Sequence, residues 1–133
     1  MNIEEWLAQV PESIKKDPLW NFQVYPKALL LADLAWEDCG KLIKKTRGRA
    51  IAEQLIRSAG SVSANIEEGF GRGFGRDYAR FLSISLGSAR ETRGWYYRCR
   101  KLLSPEVCDH RFRLLDEIIA LLVTHIQKQK SEK

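Results

Sequence analysis

The feature that most constrains this chain is a seven-residue apolar rhythm held over two long stretches. Tyr78, Leu82, Ser85, Ala89, Thr92, Tyr96, Cys99 and Leu103 are spaced alternately by four and three residues. Cys108, Phe112, Leu115, Ile119, Leu122 and Ile126 repeat the pattern. That spacing lines one face of an α-helix and suits left-handed bundle packing, whereas a half-buried strand would alternate by two. It predicts helices over 76–103 and 104–129. Between them, Ser104-Pro105-Glu106 supplies an N-cap, a first-turn proline and an early acid.

Two further helices are predicted upstream, over 25–45 and 49–69. The first carries Ala28, Leu31, Ala35, Cys39 and Leu42, widened by Leu30, Leu34 and Ile43. Pro26 suits its first turn, and Lys41, Lys44 and Lys45 suit the negative end of its macrodipole. The second carries Ile51, Leu55, Ala59, Val62 and Ile66, with small residues on its other side (Ser58, Gly60, Ser61, Ser63, Ala64) that admit a close neighbour. Thr46-Arg47-Gly48 is read as the break between these two, and Gly69 as the stop of the second. No segment reads as a strand. The fold class is therefore all-α: an antiparallel up-down-up-down four-helix bundle over 21–133, behind an N-terminal arm over 1–20. The arm holds a short helix near Ile3 to Val10 whose sticky side is Trp6, Leu7 and Val10. A chain of 133 residues suits one domain.

The last helix has a second apolar stripe, Val107, Leu114, Ile118 and Leu121. A helix apolar over two seams buries more than one bundle face. Four tryptophans (Trp6, Trp20, Trp36, Trp95) add to an apolar area that is large for one small bundle, so self-association is expected. No basic start with an apolar run marks a secretory signal, and no apolar stretch reaches membrane-spanning length. Cys39, Cys99 and Cys108 are odd in number and widely spaced, as expected of buried thiols in a reducing cytoplasm.

Chemistry is sparse. His110 and His125 are preceded at −3 by Val107 and Leu122, so the Glu-x-x-His pairs of a di-iron bundle are missing. Cys108 and His110 lack a second pair at zinc spacing, and neither a metal nor another cofactor is expected. Two histidines, both on the last helix, make a catalytic triad a remote reading, and no enzyme is expected. The run from Gly69 to Gly75 lacks the strand before it and the Gly-Lys-Ser/Thr ending of a phosphate loop. It reads as an inter-helix turn, with an anion site at Arg72 and Arg76 as the alternative. Arg57, Ser61, Asn65 and Glu68 share one helix face and read as a buried polar network.

The basic residues say more. The charge is +5 overall, from 22 basic and 17 acidic residues. The arm has four acids against two lysines, which leaves +7 on the bundle. Arg90, Arg93, Tyr97, Arg100 and Lys101 form one stripe beside the apolar seam of the third bundle helix. Arginines interleaved with an aromatic can hold phosphates and stack on an unpaired base. Arg47 and Arg49 add charge at the first break, and Arg72, Arg76 and Arg80 near the second. A solvated face, or ion pairs between subunits, is the competing reading.

Two segments carry a family resemblance. One is Gln54-Leu55-Ile56-Arg57-Ser58-Ala59 followed by Ser63-Ala64-Asn65-Ile66-Glu67-Glu68-Gly69; the other runs from Tyr78-Ala79-Arg80-Phe81-Leu82 to Gly87-Ser88-Ala89-Arg90-Glu91. Over about residues 20 to 128 the chain resembles the bacterial four-helix-bundle proteins named for 23S rRNA intervening sequences. Its signature positions would be Arg57, Asn65, Glu68, Gly69, Gly87, Ser88 and Glu91. The sequence departs from the pattern at Thr46-Arg47-Gly48-Arg49, where the family often has Phe-Pro, at Phe74-Gly75, where a polar cap is common, and in its N-terminal arm. The resemblance implies an antiparallel bundle assembled as a homopentamer, with no catalytic residues. It is also similar to the accessory variability proteins of diversity-generating retroelements, basic pentamers that associate with reverse transcriptase and template RNA. The function expected is a non-enzymatic oligomeric scaffold that binds RNA or DNA through Arg47, Arg49, Arg72, Arg76, Arg80, Arg90, Arg93, Arg100 and Lys101, with a reverse transcriptase as a further partner. A protein–protein adaptor with no nucleic-acid role is the alternative.

Overall fold

Apolar faces this long have to be buried against one another, and the computed structural model, which describes residues 2–72 and 75–131, shows how. The elements are helices α1 (Ile3–Gln9), α2 (Glu12–Lys15), α3 (Val24–Leu42), α4 (Thr46–Phe70), α5 (Arg76–Arg98) and α6 (Pro105–Ser131). Short 3-10 turns lie at Pro18–Asn21 and Arg100–Leu102. No described residue is in a strand, and no helix is long and apolar enough to cross a membrane.

The four long helices share one core. Every predicted seam residue of α5 from Tyr78 to Cys99 is buried, as are Cys108, Leu115, Ile119, Leu122 and Ile126 of α6. Cross-helix bonds fix the register. Tyr25 near the start of α3 donates to Glu67 near the end of α4 at 2.7 Å, and Ser58 of α4 meets Thr92 of α5 at 2.9 Å. The backbone N–H of Gly75 before α5 donates to Gln129 near the end of α6 at 3.1 Å. Lys45 reaches the Leu102 carbonyl at 3.0 Å, so the α3–α4 link lies beside the α5–α6 link.

Three details differ from the sequence reading. The α3–α4 break lies at Ile43-Lys44-Lys45 and not at Thr46-Arg47-Gly48, because α3 ends at Leu42 and α4 already begins at Thr46. Gly48 is buried there, and a Cβ on it would collide with the Leu42 backbone, so this glycine permits a tight link instead of ending a helix. The third bundle helix stops at Arg98 and tightens into the 3-10 turn, before Leu103. Ile43, assigned to the core stripe, falls just past the last turn of α3 and is 53% exposed.

The arm is a structural part of the molecule. Asn2 caps α1 by accepting from the Glu5 N–H at 2.8 Å. Trp6 is 2% exposed; it packs on Leu30 and Leu34 with Leu114 beside them, and its indole N–H donates to Asp33 at 2.7 Å. The arm therefore covers part of the second apolar stripe of α6. Ile118 of that stripe lies fully inside the main core.

One fully buried polar group is a carboxylate the sequence reading passed over. Asp38 has no exposed surface, and Arg111 is 8% exposed. Arg111 grips both oxygens, Nε to Oδ2 at 2.7 Å and Nη2 to Oδ1 at 3.1 Å, while the Tyr96 hydroxyl donates to Oδ2 at 2.6 Å. A bidentate, hydrogen-bonded pair is the arrangement that makes a buried charge tolerable. Burial is the main cause, and the Asp38 charge the next, pushing the Tyr96 hydroxyl far above its ordinary pKa. The cysteines are free and buried. Burial pushes the Cys39 thiol up to about 11 and the Cys99 thiol up to about 12.

Arg111→Met, which strands Asp38, should lower unfolding stability in urea by about 3–5 kcal/mol. Asp38→Leu and Tyr96→Phe added to it should recover most of that loss, and an unchanged midpoint in the single variant would contradict the assignment. Cys99 should resist iodoacetamide at about pH 8 in the native protein, because only the thiolate reacts. Peptide mass spectrometry should find it labelled only after unfolding, and rapid native labelling would refute the burial argument.

Candidate nucleic-acid interface

The seam of α5 turns Ser85, Ala89, Thr92 and Tyr96 inward, so residues roughly a quarter-turn away look outward beside α6. There Arg90, Arg93, Gly94, Tyr97 and Arg98 form one wall of a groove of about 610 Å³, and Phe112 and Asp116 of α6 form the other. Arg93 is half-buried and donates from Nη1 to Asp116 Oδ1 at 2.9 Å. Tyr97 is 56% exposed. Arg100 lies over its ring at 4.0 Å and donates to its carbonyl at 2.9 Å. Arg98 lies over the Trp95 ring at 4.8 Å, and its guanidinium occupies the space a Gly94 side chain would fill. Arg90 and Lys101 are exposed and form no ion pair among the described residues.

The nine predicted cationic residues do not form one patch. Arg90, Arg93 and Arg100 border the groove, with Lys101 in the following turn. Arg47 and Arg49 are exposed on the first turn of α4, and Arg49 lines a different, apolar groove. Arg72, Arg76 and Arg80 lie beyond the opposite end of the stripe. Arg76 to Arg100 spans about 36 Å at the helical rise. Arg72 and Arg80 flank the Phe81 ring and pair with Glu68 and Asp77. The anion-site alternative at the glycine run gains no support. Arg72 is engaged by Glu68, and the N–H of Gly75 is taken by Gln129. Gly75 sits at φ +84°, a conformation that favours glycine and serves the turn. Gly73 and Phe74 lie outside the described residues.

The positions expected as the signature form a helix seam more than a site. Arg57 of α4 pairs with Glu91 of α5, whose Oε2 also accepts from the Trp95 indole at 3.0 Å. The Trp95 hydrogen bond, then Arg57, hold the Glu91 carboxyl below its ordinary pKa, against an opposing push from burial. Asn65 donates to the Ser61 hydroxyl at 2.9 Å, which meets the Ser88 hydroxyl at 2.8 Å. Gly69 is buried where a Cβ would press Phe81 and Tyr78, so α4 and α5 approach closely there. Gly87 faces open space. The predicted buried network of Arg57, Ser61, Asn65 and Glu68 is therefore corrected: Arg57 and Glu68 are exposed, and only Ser61 and Asn65 bond to each other. Four-residue spacing aligned the side chains but placed them on the rim of the α4–α5 contact.

A second groove, about 650 Å³ and mostly apolar, runs between α3 and α4. Trp36, 70% exposed, and Ile43 border it, with Gly40, Ala52 and Ile56. No group of three metal-ligating side chains occurs among the described residues. Sequence reasoning missed Phe112 and Asp116 as walls of the basic groove. Their four-residue spacing was legible, but facing Tyr97 across two helices was not.

Comparison with known proteins adds a family and a fold. Residues 21–124 match the model described as 23S rRNA-intervening sequence protein. A solved structure from Bacteroides thetaiotaomicron, a protein with unknown function from the S23 ribosomal protein family, is similar with a TM-score of 0.73 and 26% identity. The similarity covers 77% of this chain and 97% of that one. No curated protein matches the chain. The arm, before residue 21, lies outside the matched segment.

Proposed function

Because this chain belongs to the 23S rRNA-intervening sequence protein family, we propose that its antiparallel up-down-up-down bundle is a non-enzymatic, self-associating scaffold that binds single-stranded nucleic acid, RNA above all, along the α5–α6 groove. The observation that carries this reading is that Arg90 and Arg93 share one groove with the exposed ring of Tyr97, over which Arg100 also lies. Cations there would position phosphates, and the ring would stack on an unpaired base. A rigid duplex offers no free base face, so single strands fit the groove better.

Self-association rests on a separate observation. An exposed tryptophan and isoleucine flank an apolar groove that the described residues leave uncovered, and Gly40 leaves its surface low enough for close approach. Several copies would also multiply a modest charge, to about +25 for the five copies the resemblance implies. The same apolar groove is what favours the adaptor alternative. Association with a reverse transcriptase in the cytoplasm is the partner reading that comes from the resemblance alone.

Fluorescence anisotropy on a labelled single-stranded RNA should show affinity falling with salt, at a slope of about −0.7 per phosphate contacted. Arg90→Ala with Arg100→Ala should flatten that slope by about 1.4. Absence of binding, or binding indifferent to salt, would overturn the nucleic-acid reading. Light scattering should give a mass well above the 15.3 kDa of one chain. Trp36→Ala with Ile43→Glu should return it to that value. A wild-type monomer at micromolar concentration would overturn self-association.

A further inference from the structure

One acid sits in the basic groove and needs a reason. Asp116 is on α6, opposite Arg90, Arg93 and Tyr97, with its side chain 63% exposed. It commits Oδ1 to Arg93 and leaves Oδ2 without a hydrogen-bond partner among the described residues. As a stabilising element the pair is weak, because exposed ion pairs contribute about 0–1 kcal/mol. As part of a phosphate track it is unfavourable, because like charges a few ångströms apart repel. A strand lying in this groove therefore has to bring a hydrogen-bond donor, and not a phosphate, to Asp116.

The bases differ in what they bring. Adenine and cytosine each set one amino donor beside a ring-nitrogen acceptor on the pairing edge, and uracil sets one N–H between two carbonyls. Guanine alone sets two donors side by side, N1–H and the N2 amino group, at the spacing of two carboxylate oxygens. Oδ1 keeps a second lone pair after accepting from Arg93, so both oxygens can accept. Arg100 occupies one face of the Tyr97 ring, which leaves the other for a stacked base, and Phe112 extends the apolar wall next to Asp116. The ion pair also holds the carboxylate in place before any ligand arrives.

We propose that the α5–α6 groove takes a single unpaired guanine, stacked on Tyr97 and read at its pairing edge by Asp116, with Arg90 and Arg93 on the flanking phosphates. This inference rests on the nucleic-acid reading above and adds the base it selects. Asp116 is then the specificity-determining residue.

The test uses labelled heptauridylates with guanosine, inosine, adenosine or cytidine at the centre, measured by anisotropy at one salt concentration against all-uridine. The guanosine oligomer should bind about tenfold tighter than the uridine one, and inosine, which lacks the N2 amino group, should fall between. Asp116→Asn should abolish the guanosine preference while raising affinity for the uridine, adenosine and cytidine oligomers, since it removes a negative charge from the groove. A merely structural role would weaken all of them together, and a thermal melt of the variant reads folding independently. Equal affinity for all the oligomers, or a preference that survives Asp116→Asn, would overturn the guanine assignment and leave the single-strand reading standing. No binding by any oligomer would overturn both.

Discussion

The Asp38 carboxylate holds three of the four long helices to a single arrangement. It sits on α3 without exposed surface, gripped by Arg111 of α6 and bonded by Tyr96 of α5. Removing such a charge from water costs several kcal/mol, and only this geometry returns it. Apolar seams alone tolerate sliding, since one leucine replaces another at modest cost. A bidentate ion pair does not, because a shift of an ångström or two leaves both charges buried and unpaired. The register of α3, α5 and α6 follows from that intolerance.

The fourth long helix is held by different means. α4 meets α5 through small and hydroxyl side chains, with Ser58 on Thr92, Ser61 on Ser88, the Val62 carbonyl on Ser85, and bare Gly69 under Phe81. Close backbone approach replaces bulky interdigitation along this seam. The positions expected to carry the family signature fall largely here, where these residues serve packing. The arm completes the other side, where Trp6 covers apolar surface on α3 and α6. That cover accounts for part of the apolar excess, and what remains open is concentrated between α3 and α4 at Trp36 and Ile43.

Charge is distributed on the same logic. Arg57, Arg72, Arg80 and Arg111 are each bound to an acid of the fold, and Arg93 to Asp116. Among the described residues, Arg90 and Arg98 line the α5–α6 groove without such a partner, and Arg47 and Arg49 stand without one at the start of α4. A modest net charge therefore becomes directional, and in the groove two arginines, Arg90 and Arg93, share one surface with the open ring of Tyr97. That coincidence gives the nucleic-acid reading physical content that +5 by itself lacks.

How much was legible depended on how local the cause is. Helix existence and facing follow from residue spacing, which is why the α5 seam from Tyr78 to Cys99 and the stripe from Ala28 to Leu42 are buried as the periodicity predicts. The arm helix and the start at Pro105 follow from equally local patterns. The basic stripe of α5 was visible as a stripe for the same reason. Local pattern fails where a residue serves a distant neighbour. Gly48 resembled a helix breaker, yet it makes room for the Leu42 backbone. Asp38 gave no local signal, because its partner lies 73 residues away. Phe112 resembled plain core, and Asp116 gave no signal until Tyr97 and Arg93 stood opposite. The sequence by itself determined four amphipathic helices, a short arm helix and one cationic helix face, since each depends on contacts within a few residues. Only the tertiary structure decided which charges are neutralised, which apolar face stays open and which two helices make a groove, because those depend on side chains brought together from far apart in the chain.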